Sequence, residues 1–132
     1  MQDQSFFSNL CHSPIDYYVT SIREPERSFR FEYCFIGDGY LIGREKLSWK
    51  LLTAKDFILR SHELPTKTNK SLLEVFLSLN LPKKISVINS GQVLQGWLIA
   101  VSDIWICLEI ATGRVWLNMN ALSEVSLGTV DN

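Results

Sequence analysis

No stretch of this chain reaches the roughly 18 to 20 uncharged apolar residues of a membrane-spanning helix, and the N-terminus lacks the basic, apolar and small-residue regions of a secretory signal. A soluble, cytoplasmic protein is therefore expected, with no membrane partner. Cysteine is scarce. Cys11, Cys34 and Cys107 are odd in number and none sits in a C-x-x-C pair, which argues against both a disulfide framework and a zinc ribbon. Cys11-His12, Cys34 and His62 would make a zinc set by residue type. Their separations, 23 residues from Cys11 to Cys34 and 28 from Cys34 to His62, fit no compact site. There is no glycine-rich phosphate loop, no G-x-S-x-G elbow and no usefully spaced carboxylate pair. His62 and Glu63 are neighbours in sequence, and on a strand they would point to opposite faces. The residues offer no catalytic, metal or small-molecule cofactor site, and the protein is not expected to be an enzyme.

An excess of positive charge is missing as well. Thirteen Lys and Arg stand against fourteen Asp and Glu, a net charge of −1. The balance does not hide a basic half, since residues 81 to 132 hold only Lys83, Lys84 and Arg114 against four acidic side chains. Non-specific, salt-driven binders of RNA or DNA carry a basic footprint that neutralises phosphates, so that class is disfavoured.

What the chain does have is apolar bulk. At 132 residues and 46% hydrophobic, it can bury one compact core or two very small ones. Residues 1 to 16 mix polar side chains and Pro14 around Phe6, Phe7 and Leu10, and read as a short helix or arm whose aromatics dock on something. Tyr17 to Ile22 reads as a strand stopped by the charged, Pro25-containing turn Arg23 to Arg27. From Phe29 to Phe35 apolar and polar residues alternate, with Phe29, Phe31, Tyr33 and Phe35 on one face, the signature of a half-buried strand. Gly37-Asp38-Gly39 turns the chain into Tyr40 to Ile42 as a hairpin, Asp38 being a turn residue. Ser48 to Leu52 and Asp56 to Arg60 fit strands or helices. Leu64 to Lys70, with Pro65, is the credible linker, and divides an N-terminal β-rich region (1–66) from a second domain (67–132).

Past that linker, Asn69 or Ser71 can cap a helix running to about Leu79 with a broad apolar face, ended by Pro82. Five short strands follow: Lys84 to Ile88, Val93 to Val101, Ile104 to Ile110, Arg114 to Leu117 and Leu122 to Leu127. Asn89-Ser90-Gly91, Ser102-Asp103 and Thr112-Gly113 punctuate the first four. Gly91 supplies a turn, and Gly96 lies mid-strand, where a missing side chain lets a strand bend sharply. Cys107 is expected to face the core.

Ile85 to Gly96, followed by Asp103-Ile104-Trp105-Ile106-Cys107-Leu108, resembles the first motif of the Sm family, most of all in its bacterial RNA-chaperone (Hfq-type) version. Leu117 to Val125 resembles the second motif, and the preceding helix belongs to the same pattern. The resemblance covers about 71 to 127 and implies a mainly β (α+β) protein whose C-terminal part is an Sm-like, SH3-type five-stranded bent barrel preceded by a helix. It also implies RNA as the first ligand. The Lys-His pair that touches uridine-rich RNA in the bacterial family falls here on Met119-Asn120. The Arg-Gly of the eukaryotic and archaeal version falls on Asn118-Met119, and the Asn that closes the first motif falls near Cys107. Gly96 and Asp103 stand one residue further apart than in the family pattern, which implies a bulge or a shifted turn. Trp105 keeps an aromatic at the base-stacking position. With Asn118, Met119 and Asn120 it forms the candidate site for single-stranded RNA, a stack contributing roughly 1–3 kcal/mol per base. The plainer reading makes Trp105 a rim or core aromatic and the asparagines turn formers.

Trp97, Trp105 and Trp116 bring more apolar bulk than so small a barrel can hide, so some must cover its outside or an interface. Either the N-terminal half packs over them or they form a subunit contact. Because Sm-like proteins pair an edge strand of one subunit with the next, a homo-oligomer is expected. The loss of basic residues favours a non-catalytic protein-interaction or scaffold role over RNA binding. Gly37 to Gly43 followed by Trp49 to Leu52 faintly echoes Ser90 to Gly96 followed by Trp105 to Leu108. Either the chain holds a degenerate repeat, or residues 17 to 60 are a small β-rich layer against the barrel.

Overall fold

The computed structural model describes residues 15–89 and 91–129. The arm expected over residues 1 to 16 lies outside them up to residue 14. The protein is mainly β. In chain order the elements are β1 (Tyr17–Ser21), β2 (Ser28–Phe31), β3 (Tyr33–Gly37), β4 (Tyr40–Glu45), β5 (Ser48–Thr53), a 3-10 turn (Ala54–Asp56) and β6 (Phe57–Arg60). After β7 (Thr66–Lys67) and the helix α1 (Leu72–Leu77) come β8 (Lys83–Asn89), β9 (Gln92–Ser102), β10 (Trp105–Ile110) and β11 (Gly113–Asn118). A second 3-10 turn (Met119–Ala121) leads into β12 (Leu122–Gly128). No helix among the described residues is long and apolar enough to cross a membrane.

Helix α1 begins where a capping box satisfies its first N–H groups. The Ser71 hydroxyl accepts from the Glu74 N–H at 3.1 Å, and the Glu74 carboxylate accepts from the Ser71 N–H at 2.7 Å. Of the two sequence candidates, Ser71 is the cap. The five expected strands of the C-terminal half are all present, in the order β11-β10-β9-β8-β12. β9 carries the expected irregularity: Cys107 pairs with Ala100 but Leu108 with Leu98, leaving Ile99 as a bulge. At Gly96 an added Cβ would stand 2.6 Å from the Glu109 carbonyl oxygen, so the close approach of β9 and β10 there requires glycine.

Two expectations are corrected. The strand from Phe29 to Phe35 is not one straight ladder. It breaks at Glu32, whose N–H donates to the Arg44 carbonyl at 2.8 Å, and the faces swap across the break. Phe31 and Cys34 enter one hydrophobic cluster and Phe35 the other. Nor does any sheet close as a barrel. The first and last strands of the C-terminal run, β11 and β12, are not paired with each other. The free edge of β12 is taken by β5, giving a nine-stranded sheet β11-β10-β9-β8-β12-β5-β4-β3-β7 beside a three-stranded sheet β2-β1-β6.

The chain is an internal repeat. β4, β5 and the 3-10 turn that follows run over 40–45, 48–53 and 54–56, while β10, β11 and their 3-10 turn run over 105–110, 113–118 and 119–121. Every boundary is displaced by 65 residues. One backbone hydrogen bond recurs at the same displacement, Ala54 N–H to Gly39 O at 3.1 Å and Met119 N–H to Ile104 O at 2.7 Å. The strand orders match too. β6-β1-β2, continued by β3-β4-β5 through the break at Glu32, repeats as β12-β8-β9-β10-β11. Inward positions correspond in burial: Val19 with Val87, Leu41 with Ile106, Leu52 with Leu117, and Phe57 with Leu122. The sequence echo had the right idea in the wrong register, because Gly37 to Gly43 and Ser90 to Gly96 lie in different elements of the repeat.

The two halves are joined edge to edge. β5 and β12 pair antiparallel with Leu52 opposite Glu124, Leu51 opposite Val125 and Lys50 opposite Ser126. Across this seam the Thr53 hydroxyl donates to the Leu122 carbonyl, and the Lys50 ammonium donates to the Ser126 hydroxyl at 2.9 Å. Glu124, almost fully buried, is held between Lys50 at 3.6 Å and the Arg27 guanidinium, the latter as an ion pair rather than an angled hydrogen bond. Phe35, Tyr40, Ile42, Trp49 and Leu51 from the first half, Val75 and Phe76 from α1, and the interior of the second half make one continuous cluster. Burying the equivalent of several Leu or Phe side chains at roughly 1.5–3 kcal/mol each makes this shared cluster the largest stabilising term joining the halves.

Candidate functional site

β10 and β11 form a hairpin whose register fixes which side chains share a face. Trp105 stands opposite Asn118 and Cys107 opposite Trp116, and on the other side of β10, Trp105 faces Ser102 and Cys107 faces Ala100. Side chains opposite each other in a ladder point the same way, so Ser102, Trp105, Asn118 and Trp116 share the outward face. Ser102, Trp105 and Trp116 line an open depression of about 280 Å³. Cys107, expected to face the core, lies instead on this outward face; it is 1% exposed but stands outside the core cluster, which takes its neighbours Ile106 and Leu108.

The displacement of 65 residues gives this face a counterpart. Tyr40 and Leu51 in the first half, 1% and 2% exposed, correspond to Trp105 and Trp116, which are 43% and 53% exposed. The first-half face lies inside the shared cluster, and the Tyr40 hydroxyl donates to the Lys70 carbonyl just before α1 at 2.6 Å. Burial raises the pKa of that phenol to about 12, with the nearby Glu74 carboxylate adding to the shift. In the second half the same surface, built from larger aromatics, is open.

The sequence-derived site is only partly assembled. Trp105 is outward and accessible. Asn118 spends its carboxamide oxygen on capping the 3-10 turn, accepting from the Asn120 N–H at 2.9 Å. Asn120 is exposed, while Met119 tucks into the core, 3% exposed. Trp116, weighed in the sequence only as apolar bulk, is the residue that the hairpin sets beside Trp105. Its signal was its place in the strand after Thr112-Gly113, on the face shared with Cys107. Trp97 lies apart, opposite Lys84 and Glu109 in the ladder, beside a depression of about 540 Å³ lined also by Gln95 and Gly96.

The outward face of the β10–β11 hairpin is largely apolar where Ser102, Trp105 and Trp116 line the depression. Among the described residues no group of three or more His, Cys, Asp or Glu side chains is placed to hold a metal ion. The Cys34 thiol is buried in the first-half core, and burial raises its pKa to about 12, which suppresses the thiolate. What remains is two exposed tryptophans beside the sheet edge at β11, an edge with no partner strand among the described residues. Compared with known proteins, the chain matches no protein-family model and no curated protein.

Proposed function

We propose that the protein is a non-catalytic binding and assembly module made of two Sm-like repeats, working through protein contacts rather than RNA. The observation that carries this reading is the seam between β5 and β12: one repeat already recognises the other by adding a strand to its edge. A helix followed by five strands over 72–128 supports the Sm-like reading of that region. The unpaired β11 edge and the Trp105–Trp116 face are the surfaces such a module would offer, and their lining is apolar.

RNA binding is the second reading, and one observation favours it: Trp105 is exposed where a base could stack. Against it stand the buried Met119, the committed Asn118 oxygen and a depression lined by the uncharged Ser102, Trp105 and Trp116, the nearby Arg114 of the same face being 4.0 Å from Glu109. Titration of the full chain with a short uridine-rich RNA at increasing salt separates the two. The protein-contact reading predicts no saturable binding near 0.15 M salt. Saturable binding that falls steeply with salt and is lost in Trp105→Ala would overturn it.

A further inference from the structure

We infer that the cleft beside Trp97 is a binding site for a neutral pyranose sugar with equatorial hydroxyls, of the β-linked glucose type. The site is separate from the Trp105–Trp116 face and goes beyond the protein-contact reading. Trp97 pairs with Glu109, four residues along β10 from Trp105, so the two indoles are anchored roughly 13 Å apart along the strand.

The strand register opens the cleft. β9 and β10 stay paired from Ser102 and Trp105 as far as Trp97 and Glu109. Beyond that pair β9 follows β8, with Gly96 opposite Ile85 and Gln95 opposite Ser86, while β10 follows β11, with Ile110 opposite Gly113. The depression of about 540 Å³ is lined from both strands where they part, by Gln95, Gly96 and Trp97 on one side and Glu109 and Ile110 on the other. That volume is within the range of small-molecule sites. At Gly96 there is no room for a Cβ, which would stand 2.8 Å from Ile110 Cγ2, so this part of the wall is bare backbone against Ile110.

The side chains around the cleft select the ligand. Lys84, Trp97 and Glu109 stand in one row across β8, β9 and β10 and therefore share a face. Gln95, two residues along β9 from Trp97, is on the same side. All four are exposed, Trp97 at 48%. An ammonium and a carboxylate thus flank one indole. A ligand anion would meet Glu109, and a ligand cation would meet Lys84. Hydroxyl groups suit both, because each can accept from Lys84 and donate to Glu109, and the Gln95 carboxamide takes either role. Arg114 lies 4.0 Å from one Glu109 carboxylate oxygen, which leaves the other oxygen for a hydroxyl. A pyranose with equatorial hydroxyls carries them around its rim and presents only axial C–H groups on its faces. Laying such a face on Trp97 removes apolar surface from water and sets the C–H groups against the negative face of the indole.

The test is a titration of the nitrogen-15-labelled full chain with cellobiose to about 50 mM, a range that reveals even the weak binding of an open site. The readout is the indole N–H signals of the four tryptophans, that of Trp97 being assigned by its loss in Trp97→Phe. Sorbitol, which has the hydroxyls without the ring face, and adenosine, which stacks without being a sugar ring alone, are run alongside. The expected result is a saturable shift of the Trp97 signal with those of Trp105 and Trp116 unmoved, and no response to sorbitol. Glu109→Gln, an exposed and isosteric change, should keep the far-ultraviolet circular dichroism of the parent and weaken cellobiose binding about fivefold. No shift with cellobiose, or a shift of every exposed indole that sorbitol reproduces, overturns the inference. So does a Trp97 response that saturates with adenosine at lower concentration than with cellobiose, or an affinity that Glu109→Gln leaves unchanged.

Discussion

Leu51 and Val125 face each other across the seam between β5 and β12, both buried, so the outward face of one repeat is part of the interior of the other. The halves share a core rather than merely touching. Truncating Leu51 to alanine should cost about 2–5 kcal/mol and destabilise both halves together. Urea unfolding followed by tryptophan fluorescence and by far-ultraviolet circular dichroism should give one coincident transition, shifted to lower denaturant. Two separated transitions would mean that the seam does not couple the repeats.

Within the first repeat, Phe31 lies over Gly43. A Cβ built on Gly43 would stand 2.1 Å from the ring. The equivalent positions in the second repeat, Gly96 and Leu108, hold the small and large residues the other way round. Gly43→Ala should therefore cost about 1–3 kcal/mol by overpacking. Combined with Phe31→Leu, which frees space against the new methyl, the total loss should be smaller than the sum of the single losses, measured by a double-mutant cycle in urea.

Alkali should weaken the fold through its buried acids. The Cys34 thiol, raised from 9.0 to about 12 by burial, stays protonated in the folded chain after the unfolded chain has released its proton. The folded state then binds more protons, so stability falls as pH rises from 9 towards 12. Tyr40, raised from 10.0 to about 12, acts in the same direction from pH 10. Lys50 works the other way, because burial lowers its pKa and rising pH up to its ordinary 10.5 relieves a buried charge. Between pH 9 and 10 the Cys34 share is about 1 kcal/mol. The difference in unfolding free energy between parent and Cys34→Ala should shrink by that amount over this step.

Much of the second repeat was legible because its turns are punctuated and its strands alternate. Ser71 was one of two cap candidates for the helix, Gly96 was read as a special mid-strand position though for a bend rather than the close approach found there, and the extra residue between Gly96 and Asp103 announced the bulge at Ile99. The first repeat was harder to read. Aligned at its true displacement, Tyr40 to Phe57 shares with Trp105 to Leu122 only the residue at Leu52 and Leu117. What recurs is which positions are buried, and burial is decided by tertiary neighbours that no local pattern names. The break at Glu32 hid it further by reversing the alternation from Phe31 to Phe35. The exposure of Trp105 and Trp116 was illegible for a related reason. Their counterparts Tyr40 and Leu51 are equally apolar, and only the presence of a following repeat buries one pair and not the other.

The most direct measurement is the solution mass of the full chain by light scattering over a dilution series, with and without a short uridine-rich RNA. The protein-contact reading predicts a mass that the RNA leaves unchanged at every concentration. A 15.1 kDa species at every concentration that gains the mass of bound RNA would contradict it.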